Sequence, residues 1–437
     1  MFDDRVRQFW RWSVFAALGA ILLGAGIYVF ATLPPRTVVM ATGAEGGANH
    51  ELGMRYREIL AKSGVKLQLL PTTGSLENLA RLRDRQSGVG VGFVQGGTTT
   101  RKDSPDLESL GTVFYEPLWL FYRSEIVGSI RDIRDAQALR GRRISIGPEG
   151  SGGRLLALEF AKRTKIDSIA GELLGLPPQI AAEKLIAGEI DAAFIVTGWD
   201  SPIVQQLITA NGIDLASIPR ADAYVALYPF LNKVVLPAGV ADLSTNRPPA
   251  DVTLLAPKAS LAVRGDLHSA IQHLLLSAAV QIHSQPGIFN KAGQFPAAES
   301  VDLPLSDEAQ RFYKNGRPFL QEHLPFWMAT LVEKVLVVFV PLAVLLYPMF
   351  KLLPQAYDWL MQSKILRLYD EMRSIESEIG STEAERNHEV IGRKIDELSQ
   401  RANQLRLPTT YASALYTLRG HLDLVRARLS TSSDGKP

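Results

Sequence analysis

Cysteine is missing from all 437 residues. Its absence excludes disulfide staples, thiolate metal sites, cysteine nucleophiles and lipidation on an N-terminal cysteine together. An excess of charge is missing too. The 47 Lys and Arg face 45 Asp and Glu, which gives no basic footprint for nucleic acid and no support for a strongly acidic partner. The seven histidines (His50, His268, His273, His283, His323, His388 and His421) are scattered. None falls in H-E-x-x-H or another ligand spacing, so no metal and no cofactor is expected. No G-x-S-x-G elbow follows a glycine loop. These absences favour a binding protein over an enzyme.

Long apolar runs are present twice. Residues 13–33, "SVFAALGAILLGAGIYVFATL", carry no charge and follow Arg5, Arg7 and Arg11. At about 1.5 Å per residue, a helix of that length crosses the roughly 30 Å apolar core of a bilayer. The second run, "VLVVFVPLAVLLYPMF" at 335–350, lies in an expected helix 326–351, with Phe326 and Trp327 before it and Lys351, Lys364 and Arg367 at its end and beyond. Basic flanks before the first run and after the second place both termini in the cytoplasm by the positive-inside rule. The expected layout is a cytoplasmic 1–12, a signal anchor 13–33, an extracytoplasmic 34–325, a second span 326–351 and a cytoplasmic 352–437. The alternative for the first run is a cleaved signal peptide, with small-residue character around Val29-Phe30-Ala31.

Between the spans, apolar runs and helical periods alternate. "RTVVMAT", "VKLQLLPT" and "GVGVGFVQ" read as strands, with helices at 47–62 and "SLENLARLRDRQ" between them. "RRISIGPEGSGG", "IAGELLGL" and "EIDAAFIVTG" repeat the strands, and "RLLALEFAKR" and "PQIAAEKLIAG" the helices. Strand, helix, strand at these spacings specifies a parallel sheet covered by helices. The punctuation matches as well: Gly43-Ala44-Glu45-Gly46 stands where Gly147-Pro148-Glu149-Gly150 stands in the second half. Two α/β lobes are expected, one over about 36–110 and 222–325, the other over about 125–215. "GTVFYEPLWLFYRSE" (111–125) reads as one long aromatic strand joining them, and "VALYPFLNKVVLPAGV" as extended chain.

Four glycines crowd "ATGAEGGANHELG", so backbone N–H groups there approach something closely: a phosphate, a carboxylate or the chain itself. A P-loop needs a lysine and a hydroxyl at the helix start, and a dinucleotide loop needs glycine where Glu45 stands. Helix starts near Gly47, Ser75, Gly152 and Pro177 suit a small anion or zwitterion better, since each carries roughly half a positive charge. Thr73, Ser75 and Ser151 either cap these helices or reach the ligand. Arg154 makes either a bidentate carboxylate contact or a surface salt bridge. Glu45 and Glu149 either accept from a ligand amine or cap neighbouring turns. Tyr115, Trp199 and Tyr228 either wall the pocket or pack in the core.

Past the second span, apolar residues recur at spacings of three and four: Ile365, Leu368, Met372, Ile375 and Ile379, then Ile391, Ile395, Leu398, Ala402 and Leu405, then Tyr411, Leu415, Leu418, Leu422, Val425 and Leu429. Breakers at Gly380-Ser381-Thr382 and Pro408 separate these coiled-coil-like runs, which specifies three short helices folded back as a bundle.

Taken in order, "ATGAEGGANHELG…LQLLPTTGSLENLARLRDRQSGVGVGFVQ", "RRISIGPEGSGGRLLALEFA" and "LIAGEIDAAFIVTGWDSPIV" resemble the TAXI family of TRAP-transporter solute receptors over about 36–285. The resemblance implies a two-lobed periplasmic-binding-protein type II fold, here with two transmembrane helices and a C-terminal all-α bundle. It implies capture of a small organic solute, a carboxylate or amino acid, and delivery to separate TRAP-type permease subunits in the bacterial inner membrane. Carried across, Thr42, Gly43, Glu45, Gly46 and Asn49 line lobe one with Thr73, Gly74, Ser75, Asn78 and Gln95. Pro148, Ser151, Gly152 and Gly153 line lobe two. The chain departs from the family where its loops read Gly-Ala-Glu-Gly-Gly-Ala-Asn-His and Ser-Gly-Gly, which removes hydroxyls and adds a carboxylate. It also departs in being anchored with a cytoplasmic helical domain, which leaves a transmembrane ligand sensor as the alternative to transport.

Overall fold

The computed structural model describes residues 2–126, 138–316, 324–379, 388–405, 407 and 409–433. Contacts divide the chain into two units, Pro34–Thr330 and a second made of Met1–Leu33 with Leu331–Pro437.

The chain begins with helix α1 (Phe2–Ala31) and then alternates: β1 (Thr37–Ala41), α2 (Ala48–Lys62), β2 (Lys66–Leu70), α3 (Ser75–Arg83), β3 (Val89–Gln95) and β4 (Leu107–Tyr115). The next group is β5 (Leu118–Arg123), β6 (Arg143–Ser145), α4 (Gly152–Thr164), α5 (Ile166–Ile169), β7 (Glu172–Leu174), α6 (Pro178–Ile186), β8 (Ala192–Val196), α7 (Pro202–Thr209), β9 (Ile213–Leu215) and α8 (Ala221–Leu227). Then come β10 (Leu231–Leu236), β11 (Val252–Arg264), α9 (Ser269–His283), α10 (Asp307–Asn315), α11 (Phe326–Ile379), α12 (His388–Gln404) and α13 (Ala412–Ser433).

The strands form two sheets, ordered β10-β11-β3-β1-β2 with β4 also on β11, and β7-β6-β8-β5-β9. Each has the same plan. The second, first and third strands of a βαβαβ run lie parallel, and one antiparallel strand borders the third: β11 on β3, and β5 on β8. The expected pair of α/β lobes is therefore present, in the mixed two-sheet arrangement of periplasmic-binding-protein-like folds.

The expected single strand over 111–125 is two strands in two sheets. Pro117 lacks the N–H that a continuous ladder needs, and Glu116 and Pro117 carry the chain from one lobe to the other. The stretch expected to be extended starts as the end of α8, so only its β10 part is strand. The return is made by β11. Val252, Leu254 and Ala256 pack in lobe two, whereas Ala259, Leu261 and Val263 pack with Met40, Tyr56, Phe93 and Leu275 in lobe one.

Strand β5 shows why its sequence is apolar throughout. Leu118, Leu120 and Tyr122 face a core with Ile144, Phe160 and Phe194, while Trp119 and Phe121 face Leu185, Ile195 and Leu207. With side chains alternating every residue, a strand covered on both faces has no polar side to present.

In the other unit, the C-terminal part of α11 packs with α12 and α13. Ile365, Leu368, Met372 and Ile375 share one core with Ile391, Ile395, Leu398, Ala402, Leu418, Leu422 and Val425, the residues marked by the sequence period. Pairing fixes the directions: Glu378 meets Lys394 and Glu371 meets Arg401, so α11 and α12 are antiparallel, whereas Tyr369 meets His421 and Glu376 meets Arg428, so α11 and α13 are parallel. The expected breakers Gly380-Ser381-Thr382 and Pro408 lie outside the described residues. Among the described residues one helix is long and apolar enough to cross a membrane, Phe326–Met349; the apolar stretch Ala16–Ala31 of α1 is shorter.

Candidate functional site

The loops that follow the parallel strands of both lobes enclose a cavity of about 220 Å³. Lobe one contributes Gly43, Gly47, Asn49, Thr73, Gly74, Ser75, Gln95 and Glu116; lobe two contributes Pro148, Ser151, Gly152, Gly153, Thr197 and Ser201, with an apolar wall from Ile146, Phe194, Val196 and Ile203. Ligands of open α/β sheets gather at this end, where helices begin.

The glycine loops are glycine because the lobes touch there. Gly74 has φ 134°, and a Cβ on it would lie 3.2 Å from the Ser151 Cα of the other lobe. Gly150 has φ 80°, and its Cβ would lie 2.5 Å from Thr73 Oγ1. Three hydrogen bonds join the same loops: the N–H groups of Leu76 and Glu77 donate to the Gly150 carbonyl at 3.2 and 3.3 Å, and Gln95 Nε2 donates to the Gly152 carbonyl at 3.2 Å. The start of α3 is thus stoppered by protein.

Most polar side chains in the wall are engaged. Thr73 donates through its N–H and its hydroxyl to Glu77 at 2.8 and 3.0 Å; the N–H leads in holding the Glu77 carboxyl below its ordinary range. Ser75 Oγ accepts from the Gln95 N–H at 3.0 Å, and Ser151 caps α4 by accepting from the Arg154 N–H at 3.1 Å. The hydroxyls of Thr197 and Ser201 make no hydrogen bond to the described residues.

Glu116 is the one ionisable side chain among the lining residues, which include no Lys, Arg or His. It is 4% exposed and accepts from Asn49 Nδ2 at 3.2 Å through Oε1, while Oε2 has no partner among the described residues. Burial pushes its pKa up to about 7, with the Asn49 amide opposing the shift.

Around this carboxyl lie helix starts. The first-turn N–H groups of an α-helix lack intrahelical acceptors, and those of Ala48 and Asn49 on α2 and of Gly152 and Gly153 on α4 border the cavity. Helices α6 and α7 also begin there, but Pro178 and Pro202 at their first positions carry no N–H. A cavity with donors at two helix starts, one buried carboxyl and an apolar wall suits a small polar molecule with an apolar part.

Of the residues expected from sequence, Gly43, Asn49, Thr73, Gly74, Ser75, Gln95, Pro148, Ser151, Gly152 and Gly153 come together here. The others lie off the lining. Thr42 is buried, with Oγ1 3.1 Å from His50 Nδ1, and Asn78 beneath it donates to the carbonyls of Thr42 and Phe93, both at 2.8 Å. Glu45, Gly46 and Glu149 are exposed. Arg154 Nη1 donates to its own loop, at the Gly147 carbonyl, 3.0 Å away. Tyr115 stacks edge-on against Phe295 and its hydroxyl accepts from Gln294, and Trp199 packs on Trp119. Glu116 and Ser201 were not singled out in the sequence. Pro117 beside the first, and the Ser-Pro helix start at the second, were the available signals.

Solved structures with some likeness include an ancestral arginine-binding protein bound to arginine (TM-score 0.38, 15% identity, 58% of this chain and 95% of that one). PhnD1 from Prochlorococcus marinus in complex with methylphosphonate gives TM-score 0.40 at 14% identity, over 60% of this chain and 94% of that one. A periplasmic transporter gives TM-score 0.42 at 12% identity, over 65% and 94%. The model of the NMT1-like family matches residues 40–316, which takes in every residue lining the cleft, and the chain belongs to the NMT1-like family.

Proposed function

We propose that this protein is a membrane-anchored solute-binding subunit of a TRAP-type transport system of the TAXI kind, not an enzyme. It captures a small organic anion or amino acid between its lobes and passes it to permease subunits. The observation that carries the reading is the cleft itself: two lobes of one plan, in contact through glycine loops, around a cavity with helix-start donors, the one buried carboxyl of Glu116 and an apolar wall. Anchoring rests on the apolar stretch Phe326–Met349 and on the apolar run of α1 with its preceding arginines, with the lobes facing the periplasm or exterior and both termini cytoplasmic.

Thermal-shift screening of the full chain against carboxylates, amino acids and phosphorylated compounds tests this reading. A ligand that binds only the folded state adds about 2.7 kcal/mol of stability at a hundred times its Kd. Stabilisation by carboxylates or amino acids is the expected result. Stabilisation by phosphorylated compounds alone would overturn the ligand class.

A second reading, a transmembrane sensor, has one observation in its favour: α11 supplies Phe326 and Trp327 to the lobe-one core and Ile365 to Ile375 to the three-helix core. Deleting 354–437 separates the two. Uptake that survives the deletion supports transport without those helices, whereas a lost transcriptional or motility response with normal uptake supports sensing.

A further inference from the structure

Behind the cleft lies a second cavity, of about 440 Å³, twice the volume of the first. It is bounded by the turn after β3, by α4 and by α8 with the start of β10, and it shares Gln95 and Gly152 with the cleft. The two residues that line both are hydrogen-bonded to each other, the Gln95 amide donating to the Gly152 carbonyl at 3.2 Å. A Cβ at Gly152 would meet Gln95 Oε1 at 3.0 Å and Thr98 Cγ2 at 3.1 Å, so glycine leaves room between the two cavities that any side chain would take.

The second cavity differs from the cleft in chemistry. Its walls are apolar and aromatic, with Leu155, Leu156, Phe160, Tyr224, Phe230 and Leu231 among them, and Leu155 stands 43% exposed although it lies on a helix packed in the lobe-two core. The polar groups beside it are paired: Tyr228 donates its hydroxyl to Glu159 at 2.6 Å, and Arg163 meets the same carboxylate at 2.9 Å. Lys162 and Asp167 are exposed at the rim. Nothing in the walls asks for a polar ligand, whereas the cleft beyond Gln95 has helix-start donors and little room.

We propose that cleft and cavity form one elongated site, and that its ligand is an amphipathic carboxylate. The carboxylate faces the helix starts at Gly47 and Ser151, and an alkyl or aryl tail passes Gln95 and Gly152 to lie against Leu155, Tyr224 and Phe230. This rests on the solute-binding reading above and adds the class of solute. Gln95 acts as the divider: it closes the passage over a short ligand by bonding to Gly152 and swings aside for a long one.

The test is a chain-length series on the full chain in lipid nanodiscs: acetate, propionate, phenylacetate, 3-phenylpropionate and 5-phenylvalerate, with free ligand measured by equilibrium dialysis. Each methylene that leaves water for the cavity tightens binding about fourfold, so affinity rises steadily along the series. Leu155→Trp fills the cavity from an exposed helix position. It is expected to weaken 5-phenylvalerate at least tenfold and to leave propionate within about twofold. Leu155→Asn, which adds an amide without bulk, serves as the second variant and flattens the length dependence in the same way. Affinity that does not change with tail length, or that both variants leave alone, overturns the elongated site while short carboxylates that still bind preserve the solute-binding reading. Failure of every carboxylate in the series overturns the elongated site, and the thermal-shift screen with amino acids then decides the solute-binding reading on its own.

Discussion

The two lobes share one sheet order and meet at one cleft, yet they bring different chemistry to it. Lobe one supplies the polar side chains Asn49, Thr73, Ser75 and Gln95, with Glu116 at its exit strand. Lobe two supplies the apolar wall of Ile146, Phe194, Val196 and Ile203, the bare backbone of Gly152 and Gly153, and the hydroxyls of Ser151, Thr197 and Ser201. Duplicated architecture therefore does not mean duplicated recognition. The parallel strands and helix starts position both sets of loops, and the loops differ in what they bring: lobe one the amides of Asn49 and Gln95 and the Glu116 carboxyl, lobe two the apolar wall and the unengaged hydroxyls of Thr197 and Ser201.

Five substitutions probe this comparison, from the largest effect to the smallest. Trp119 is fully buried in lobe two between Phe121, Trp199 and Phe289. Trp119→Ala should cost about 3–5 kcal/mol in denaturant unfolding, and spectroscopic probes placed in each lobe will show whether lobe one survives the loss of its partner.

Glu116→Gln comes next. The folded chain holds this carboxyl at about 7 against an ordinary 4.5. Between those values the native state keeps a proton that the unfolded chain has released. Its contribution is fully present below about 4.5 and is lost as pH rises through about 7, by up to roughly 3 kcal/mol. The variant lacks this slope. Unfolding at pH 5 and pH 8, compared between variant and parent, cancels the other titrations. His283 is one of these, its pKa depressed to about 3 by burial, and it acts with the opposite sign by losing stability as pH falls below 6.5.

Gly74→Ala places a methyl against the Ser151 backbone at positive φ, where neither side can give. It should weaken solute binding about tenfold, roughly 1.4 kcal/mol. Gly152→Ala meets side-chain atoms, the movable end of Gln95 and the Thr98 methyl, and should cost less, by calorimetric titration. The smallest effect is expected at Ser201→Ala, where loss of one hydroxyl contact lowers affinity severalfold, in line with about 1 kcal/mol for a hydrogen bond.

Much of this was legible in the sequence. The strands β1, β3 and β8 are short apolar runs closed by glycine turns, and the bundle core follows its period residue by residue through Ile365, Leu368 and Met372. The glycine loops were legible as places of close approach, but not what they approach, which is the opposite lobe. A contact between residues 74 and 151 depends on how two separately folded lobes meet, and no local pattern encodes that. Glu116 was hidden for a related reason. Within "FYEPLWLF" it reads as a polar residue in a continuous strand, and only the division of that strand between two sheets makes it a buried carboxyl at the cleft. Arg154 shows the converse: its place in the first turn of α4 was readable, but the carbonyl that its guanidinium meets is set by the fold of the preceding loop.

The central claim is that the solute is held between the lobes and that the lobes must part to admit it. The cysteine-free chain permits a direct test. A Cβ on Gly150 would lie 3.6 Å from the Thr73 Cβ, within the spacing that a disulfide needs, so the double variant Thr73→Cys with Gly150→Cys can be locked by oxidation. Oxidised protein freed of solute should take up none in equilibrium dialysis, and reduction should restore uptake to the level of the reduced control. Equal binding by the oxidised and reduced forms would contradict the account.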